Sequence, residues 1–147
     1  MNPLTIETTK LSDGTLRVEM RGKINEQFEP GKLLDQLRGN KVVIDVSGVR
    51  HVSSIGIREF ERFLEKLSDV TLVEVAPAIA TQIVLLPTLA ARARIESAQL
   101  PFTCDHCGAE RSHTVPFQKG AASTHAPTCT CGNKMALDGI AEQYLPA

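Results

Sequence analysis

Four cysteines in the last third of the chain have the side chains and spacing for metal chemistry. Cys104-Asp105-His106-Cys107 and Cys129-Thr130-Cys131-Gly132 are separated by 21 residues. A C-x-x-C turn offers two thiolates from one tight bend, and two close-set pairs suit a tetrahedral metal better than a disulfide ladder. The second pair is C-x-C, one residue shorter than the usual knuckle. His106, His113 and His125 lie in the same segment, and one of them could replace a cysteine as ligand. The expected site is a structural zinc held by Cys104, Cys107, Cys129 and Cys131.

Other uses of these thiols fit less well. No apolar segment follows Met1-Asn2-Pro3, so the expected compartment is the reducing cytoplasm, where structural disulfides are rare. A thioredoxin-type C-x-x-C belongs after a strand inside a β-α-β unit, whereas Cys104 leads into a polar, glycine-containing loop. A zinc or thiolate enzyme needs an open coordination position and a pocket, and four protein ligands close that position. No Ser/His/Asp grouping, glycine-rich phosphate loop or suitably placed carboxylate pair appears. His51, beside Arg50, reads as packed or solvated. No catalytic residue is expected, and the chain is read as a non-enzyme.

The elements that must position the cysteines come from hydrophobic periodicity. With 147 residues and 42% hydrophobic content, the chain can bury one good core, while a small satellite module needs a staple of its own. Leu4 to Lys10 and Leu16 to Ile24 read as strands around the turn Ser12-Asp13-Gly14. Leu33, Leu34 and Leu37 mark a short helix stopped at Gly39-Asn40. Val42 to Val46 reads as a central strand covered on both faces and ending at Ser47-Gly48, with Asp45 capping a turn. Ile57, Phe60, Phe63, Leu64 and Leu67 form the buried stripe of a helix, with Glu59, Arg62 and Glu65 paired on its outer side. Val70 to Val75 is a further strand, Pro77 opens a helix through Leu86, and Ile95 to Phe102 reads as the last strand. The expected architecture is α/β: a mixed sheet in β-β-α-β-α-β-α-β order, helices mainly on one face, over residues 1–100. A zinc-ribbon-like module follows over residues 101–147.

Charge narrows the partners. The net charge is −1. From Pro101 onward, Arg111, Lys119 and Lys134 stand against Asp105, Glu110, Asp138 and Glu142. Neutralising phosphates takes clustered Lys and Arg, so nucleic acid is an unfavoured partner for the ribbon. No apolar run approaches the ~20 residues of a membrane span.

The segments Gly22-Lys23-Ile24-Asn25, Val43-Ile44-Asp45-Val46-Ser47-Gly48-Val49 and Ser53-Ser54-Ile55-Gly56-Ile57 resemble the STAS domain of bacterial anti-sigma-factor antagonists, over roughly residues 4 to 100. The tail resembles a ribbon-type appendage. The resemblance implies a partner-switching signalling module, in which the first serine of an Asp-Ser-Ser/Thr-Gly loop is phosphorylated by a kinase that doubles as an anti-sigma factor. Carried onto this chain, the acceptor is Ser54 and the docking surface centres on Asn25, Ser53, Ser54, Ile55, Gly56 and Arg58. The partner is then an anti-sigma-factor or kinase-like regulator, or a larger sensory assembly. The chain departs from that pattern: Ser53 stands in place of the Asp, Asn25 in place of an acidic residue, and Ile55 in place of the second hydroxyl. The plain alternative for Ser54 is a helix N-cap contributing about 1 kcal/mol.

Overall fold

The computed structural model describes residues 4–147. Met1-Asn2-Pro3 lie outside the described residues. Five strands form one sheet in the order β1-β2-β3-β4-β5. β1 (Thr5–Lys10) and β2 (Leu16–Ile24) are the expected antiparallel hairpin. Its turn is fixed by Thr15 donating its backbone N–H to Asp13 Oδ1 at 3.0 Å.

Every later neighbour in this sheet is parallel and is reached by a helical crossover. α1 (Gly31–Leu37) links β2 to β3 (Lys41–Val52), and α2 (Ser54–Glu65) links β3 to β4 (Asp69–Val73). The helix expected from Pro77 to Leu86 forms and ends one residue early. α3 (Pro77–Leu85) ends and α4 (Pro87–Ala90) begins around an extended Leu86, φ −121° and ψ 90°. Pro87 supplies no N–H and disfavours helical geometry in the residue before it.

Register explains why one face of this sheet is dry. Val18, Ile44 and Leu72 lie side by side across β2, β3 and β4, and all three are fully buried. They share one core with Ile57, Phe60, Phe63 and Leu64 of α2. Phe28, Phe60 and Phe63 meet there at ring-centroid distances of 5.7–6.3 Å. The alternate positions carry Arg17, Val43 and Thr71 in one row, and Glu19, Asp45 and Val73 in the next. β3 is therefore not covered equally on both sides, because Val43 is only half-buried on the polar face.

Nor does β3 stop at Ser47-Gly48; it runs on to Val52. Its pairing with β2 slips between Glu19 and Arg21 and again between Gly22 and Lys23. Asp45, 8% exposed, sits at the first slip. Its carboxylate accepts from the Ser47 N–H at 2.9 Å and pairs with Arg17 at 2.8 Å. The expected local cap is present, but the strand continues past it because β2 is long enough to keep pairing. On α2, Arg62 pairs with Glu59 at 2.9 Å, and no ion pair joins Arg62 to Glu65 among the described residues.

The strand expected from Ile95 to Phe102 is two strands in two sheets. β5 (Arg94–Ile95) closes the large sheet, and β6 (Ser97–Thr103) is the centre of a three-stranded antiparallel sheet in the order β7-β6-β8. β7 is Glu110–Pro116 and β8 is Ala136–Leu137; neither was read from the sequence. The boundary drawn between residues 100 and 101 thus falls inside β6. The sheets are joined where β4 ends: Val75 donates to the Ser97 carbonyl at 3.0 Å, and Gln99 donates back to the Val75 carbonyl at 2.9 Å. Glu74 turns the chain into this bridge with φ at 50°, and its N–H is held by Ser97 Oγ at 2.9 Å. Leu100, Phe102, Val115, Met135 and Leu145 belong to the same buried cluster as Ile79 and Ile83 of α3.

Gly56 is where α2 meets β2. A Cβ there would collide with the Ile24 carbonyl and lie 2.7 Å from the Asn25 nitrogen. Gly56→Ala is therefore expected to destabilise the protein by about 1–3 kcal/mol through overpacking. Gly31→Ala, with open space around its Cβ, should stay within about 1 kcal/mol. Urea unfolding of the two variants checks the difference, and equal midpoints would sink this account of the close approach.

Candidate metal centre and docking loop

The four cysteine sulfurs converge at the end of the small sheet. Their ligand atoms all lie within 4.8 Å of one another. Cys104 and Cys129 are buried, while Cys107 and Cys131 reach the surface. Cys104 Sγ is 3.6 Å from Cys131 Sγ, and Cys107 Sγ is 3.5 Å from Cys129 Sγ. A tetrahedron of sulfurs with metal bonds of ~2.3 Å has edges of about 3.8 Å, so the observed spacing suits a metal ion such as zinc.

Local sequence builds each half of this cluster. Cys104 follows directly on β6, and its turn is closed by Gly108 N–H to the Cys104 carbonyl and Cys104 N–H to the Ala109 carbonyl, both 2.8 Å. The second half mirrors it, with Gly132 N–H to the Cys129 carbonyl at 2.9 Å and Cys129 N–H to the Asn133 carbonyl at 2.8 Å. Gly108 and Gly132 hold φ at 77° and 96°, left-handed values that glycine adopts at little cost.

None of the three histidines joins the cluster. His106 is exposed in the first turn, His113 packs edge-on against Phe102 with centroids 5.9 Å apart, and His125 Nδ1 is 2.9 Å from Thr124 Oγ1. The shorter C-x-C pair therefore contributes both of its sulfurs. Sequence reasoning missed Asn133, whose Nδ2 donates to Cys131 Sγ at 3.4 Å. An amide directly after Cys131-Gly132 is the signal that could have found it.

The electrostatics of four crowded thiols favour a cation. The Asn133 side chain and backbone N–H draw the Cys131 thiol down to about 6. The Cys131 N–H, then the Cys107 side chain, lower that of Cys129. At Cys107 the Ala109 N–H favours the thiolate, but the sulfurs of Cys129, Cys104 and Cys131 oppose it and push its pKa up to about 12. Four thiolates this close repel one another, and a divalent ion removes that repulsion.

The second candidate region is the corner of β2, β3 and α2. Ser53, not Ser54, is the N-cap: its Oγ accepts from the Gly56 N–H at 2.9 Å. Its own N–H donates to the Ile24 carbonyl at 2.9 Å, which ties the helix start to the end of β2. Ser54 is the first residue of α2 and is exposed, as is Arg58 one turn on. Ile55 is 52% exposed, while Gly56 is buried against Ile24 and Asn25. Asn25 is half-buried, and its Oδ1 accepts from the Gln27 N–H at 2.9 Å. The chain thus brings Ser53 and Gly56 against the end of β2 at Ile24 and Asn25 and leaves Ser54, Ile55 and Arg58 exposed. His51, paired in register with Lys23, is exposed beside them.

Among the described residues, no helix is long and apolar enough to cross a membrane. The chain matches no family model and no curated protein.

The cluster should bind one divalent ion per chain, and Cys104→Ser with Cys107→Ser should abolish that binding. Chelation should expose the segment from Cys104 to Asn133 to protease before the large sheet unfolds. Unchanged protease resistance after the metal is stripped would count against a metal-held tail. Binding must expel the Cys107 proton, so apparent affinity should fall as pH drops. The metal-free tail carries the same sign: the lowered Cys131 pKa favours the folded form fully above the ordinary thiol value of 9.0, and that contribution is lost as pH falls through about 6. Competition with a chromophoric chelator between pH 8 and pH 5 measures the first effect, and affinity rising towards acid would contradict it.

Proposed function

We propose that the chain is a non-enzymatic protein-interaction module of the STAS type, an antagonist-like signalling switch whose tail is held by a structural zinc ion. The observation that carries this reading is the β3–α2 corner: a helix start pinned to β2 through Ser53 and Gly56 that presents Ser54, Ile55 and Arg58 outward. A pinned backbone with exposed side chains gives a partner a preformed surface. Ile55 supplies an apolar contact, and Arg58 and Lys23 supply charge.

Ser54 is the phosphorylation candidate. Its neighbour Ser53 already caps α2, so the Ser54 hydroxyl is not required for that bond. A phosphate on the first residue of a helix faces free backbone N–H groups and the positive end of the dipole. Nearly two added negative charges at Ser54 would change what this corner attracts. The partner on this reading is a kinase-like or anti-sigma-type regulator, or a sensory assembly.

Zinc, held by Cys104, Cys107, Cys129 and Cys131, supplies folding energy rather than reactivity on this reading, since four thiolates leave no open position. The nucleic-acid alternative has less support. Of the three basic residues after Pro101, Arg111 is turned onto the Thr128 carbonyl at 3.1 Å, while Lys119 and Lys134 flank a cleft. They do not form the continuous basic track that phosphate binding uses.

The test is an intact mass of the chain purified from its own host, with the Ser53-Ser54 peptide sequenced, alongside capture of partners by the wild type and by Ile55→Asp. The expected outcome is a protein partner retained by the wild type and lost by Ile55→Asp at unchanged thermal stability, with any phosphate on Ser54. A partner held equally by Ile55→Asp would overturn the assignment of this corner. Phosphate on Ser53 in place of Ser54 would overturn the acceptor assignment.

A further inference from the structure

A cleft of about 650 Å³ opens in the tail beside α5 (Ala121–Thr124), between it, β8 and the C-terminal segment. That volume lies within the ~300–1,000 Å³ range of small-molecule sites. Its floor is apolar, with Ala122, Met135 and Leu145 all buried. Its rim is polar, and two of its groups are cationic: Lys119 just before α5 and Lys134 just before β8. Neither lysine forms an ion pair among the described residues. Glu142 is the single carboxylate side chain that lines the cleft.

We propose that this cleft binds a small amphipathic anion, an apolar body ending in one carboxylate. The body rests on Ala122, Met135 and Leu145, and the carboxylate takes charge-assisted hydrogen bonds from Lys119 and Lys134. An apolar floor with a few convergent polar groups is the general form of a small-molecule site. Two ammonium groups outside any ion pair, against the one carboxylate side chain of Glu142, favour a negatively charged ligand.

The metal cluster holds one wall of this site. Lys134 lies three residues after Cys131 and faces Thr128 across an isolated bridge. Cys129 N–H binds the Asn133 carbonyl at 2.8 Å, and Met135 N–H binds the Pro127 carbonyl at 2.9 Å. Ordering the sulfurs therefore orders the strand that carries Lys134 and Met135, without any ligand touching the metal. This inference does not depend on the docking role of the β3–α2 corner.

The experiment is a titration of the metal-loaded full chain with octanoate, followed by amide NMR shifts, with octan-1-ol as the uncharged control. Octanoate is expected to saturate, with the largest shifts at residues 119–126 and 134–145. Lys119→Gln combined with Lys134→Gln should weaken octanoate about tenfold or more and leave octan-1-ol unchanged, the scale of a lost charge-assisted contact. Glu142→Gln should tighten octanoate. Ser123→Trp, at an exposed position lining the cleft, should block both probes whatever the lysines contribute. Shifts that never saturate, that centre on Leu85 or Ile55, or that persist undiminished in the double lysine variant would overturn the proposal.

Discussion

The chain's two sheets depend on one exchange of hydrogen bonds, between Val75 and β6. The Val75 N–H binds the Ser97 carbonyl, and the Val75 carbonyl receives the Gln99 N–H. This exchange keeps the start of β6 bonded to the end of β4 while β6 pairs with β7 on its other side. β6 leaves the large sheet here and becomes the centre of the small one. Cys104 follows the last residue of β6, so the metal cluster is placed by the core of the α/β sheet. Glu74 adopts a left-handed φ at this point, a conformation that costs a non-glycine residue about 1–3 kcal/mol. The surrounding bonds offset it: Ser97 Oγ accepts from its N–H, and Gln99 and Thr114 reach its carboxylate, each at 3.4 Å.

A similar division of labour organises the β3–α2 corner. Two adjacent serines have separate roles, because an N-cap needs its side chain to turn back onto the helix while the next residue points away. Ser53 spends its hydroxyl on Gly56, and Gly56 lets the helix approach the end of β2 closely. The result is a rigid start for α2 with Ile55 uncovered beside Arg58. Ile55, 52% exposed there, adds apolar surface to this corner and none to the core.

What the sequence revealed, and what it hid, follows from the range of the forces involved. The hairpin around Ser12-Asp13-Gly14, the buried stripe of α2 and the four cysteines are local patterns, and periodicity or spacing suffices to read them. The length of β3 is not local. Ser47-Gly48 looks like an end until Arg17, 28 residues away from Asp45, neutralises the carboxylate and β2 continues the pairing. The division of Ile95–Phe102 depends on Val75, whose role as a bridge has no signature in its own neighbourhood. The end of α3 was legible, since Pro87 disfavours helical geometry at Leu86, whereas the four-residue helix that restarts at Pro87 is too short for periodicity to mark. The cleft beside α5 is the least legible feature, because its walls come from segments whose contacts are set by the cysteine turns.

The tail raises a question of energetics that the cysteines alone do not answer. Its first half is anchored in the main core through Leu100 and Phe102, and its last residues return to that core through Leu145. The segment between them, from Cys104 to Asn133, buries Val115, Ala121, Ala122 and the two inner cysteines, too little apolar area to offset the ordering of thirty residues at about 1–2 kcal/mol each. In zinc-finger peptides a structural zinc supplies about 10–16 kcal/mol of apparent binding energy, and an ion at these sulfurs would act on this segment in the same way. On our reading that magnitude makes the ion a component of the fold, with its coordination filled by four ligands. On the same reading, the ion holds in place one of the two surfaces this chain offers, the cleft rimmed by Lys119 and Lys134, while the β3–α2 corner rests on the core of the large sheet.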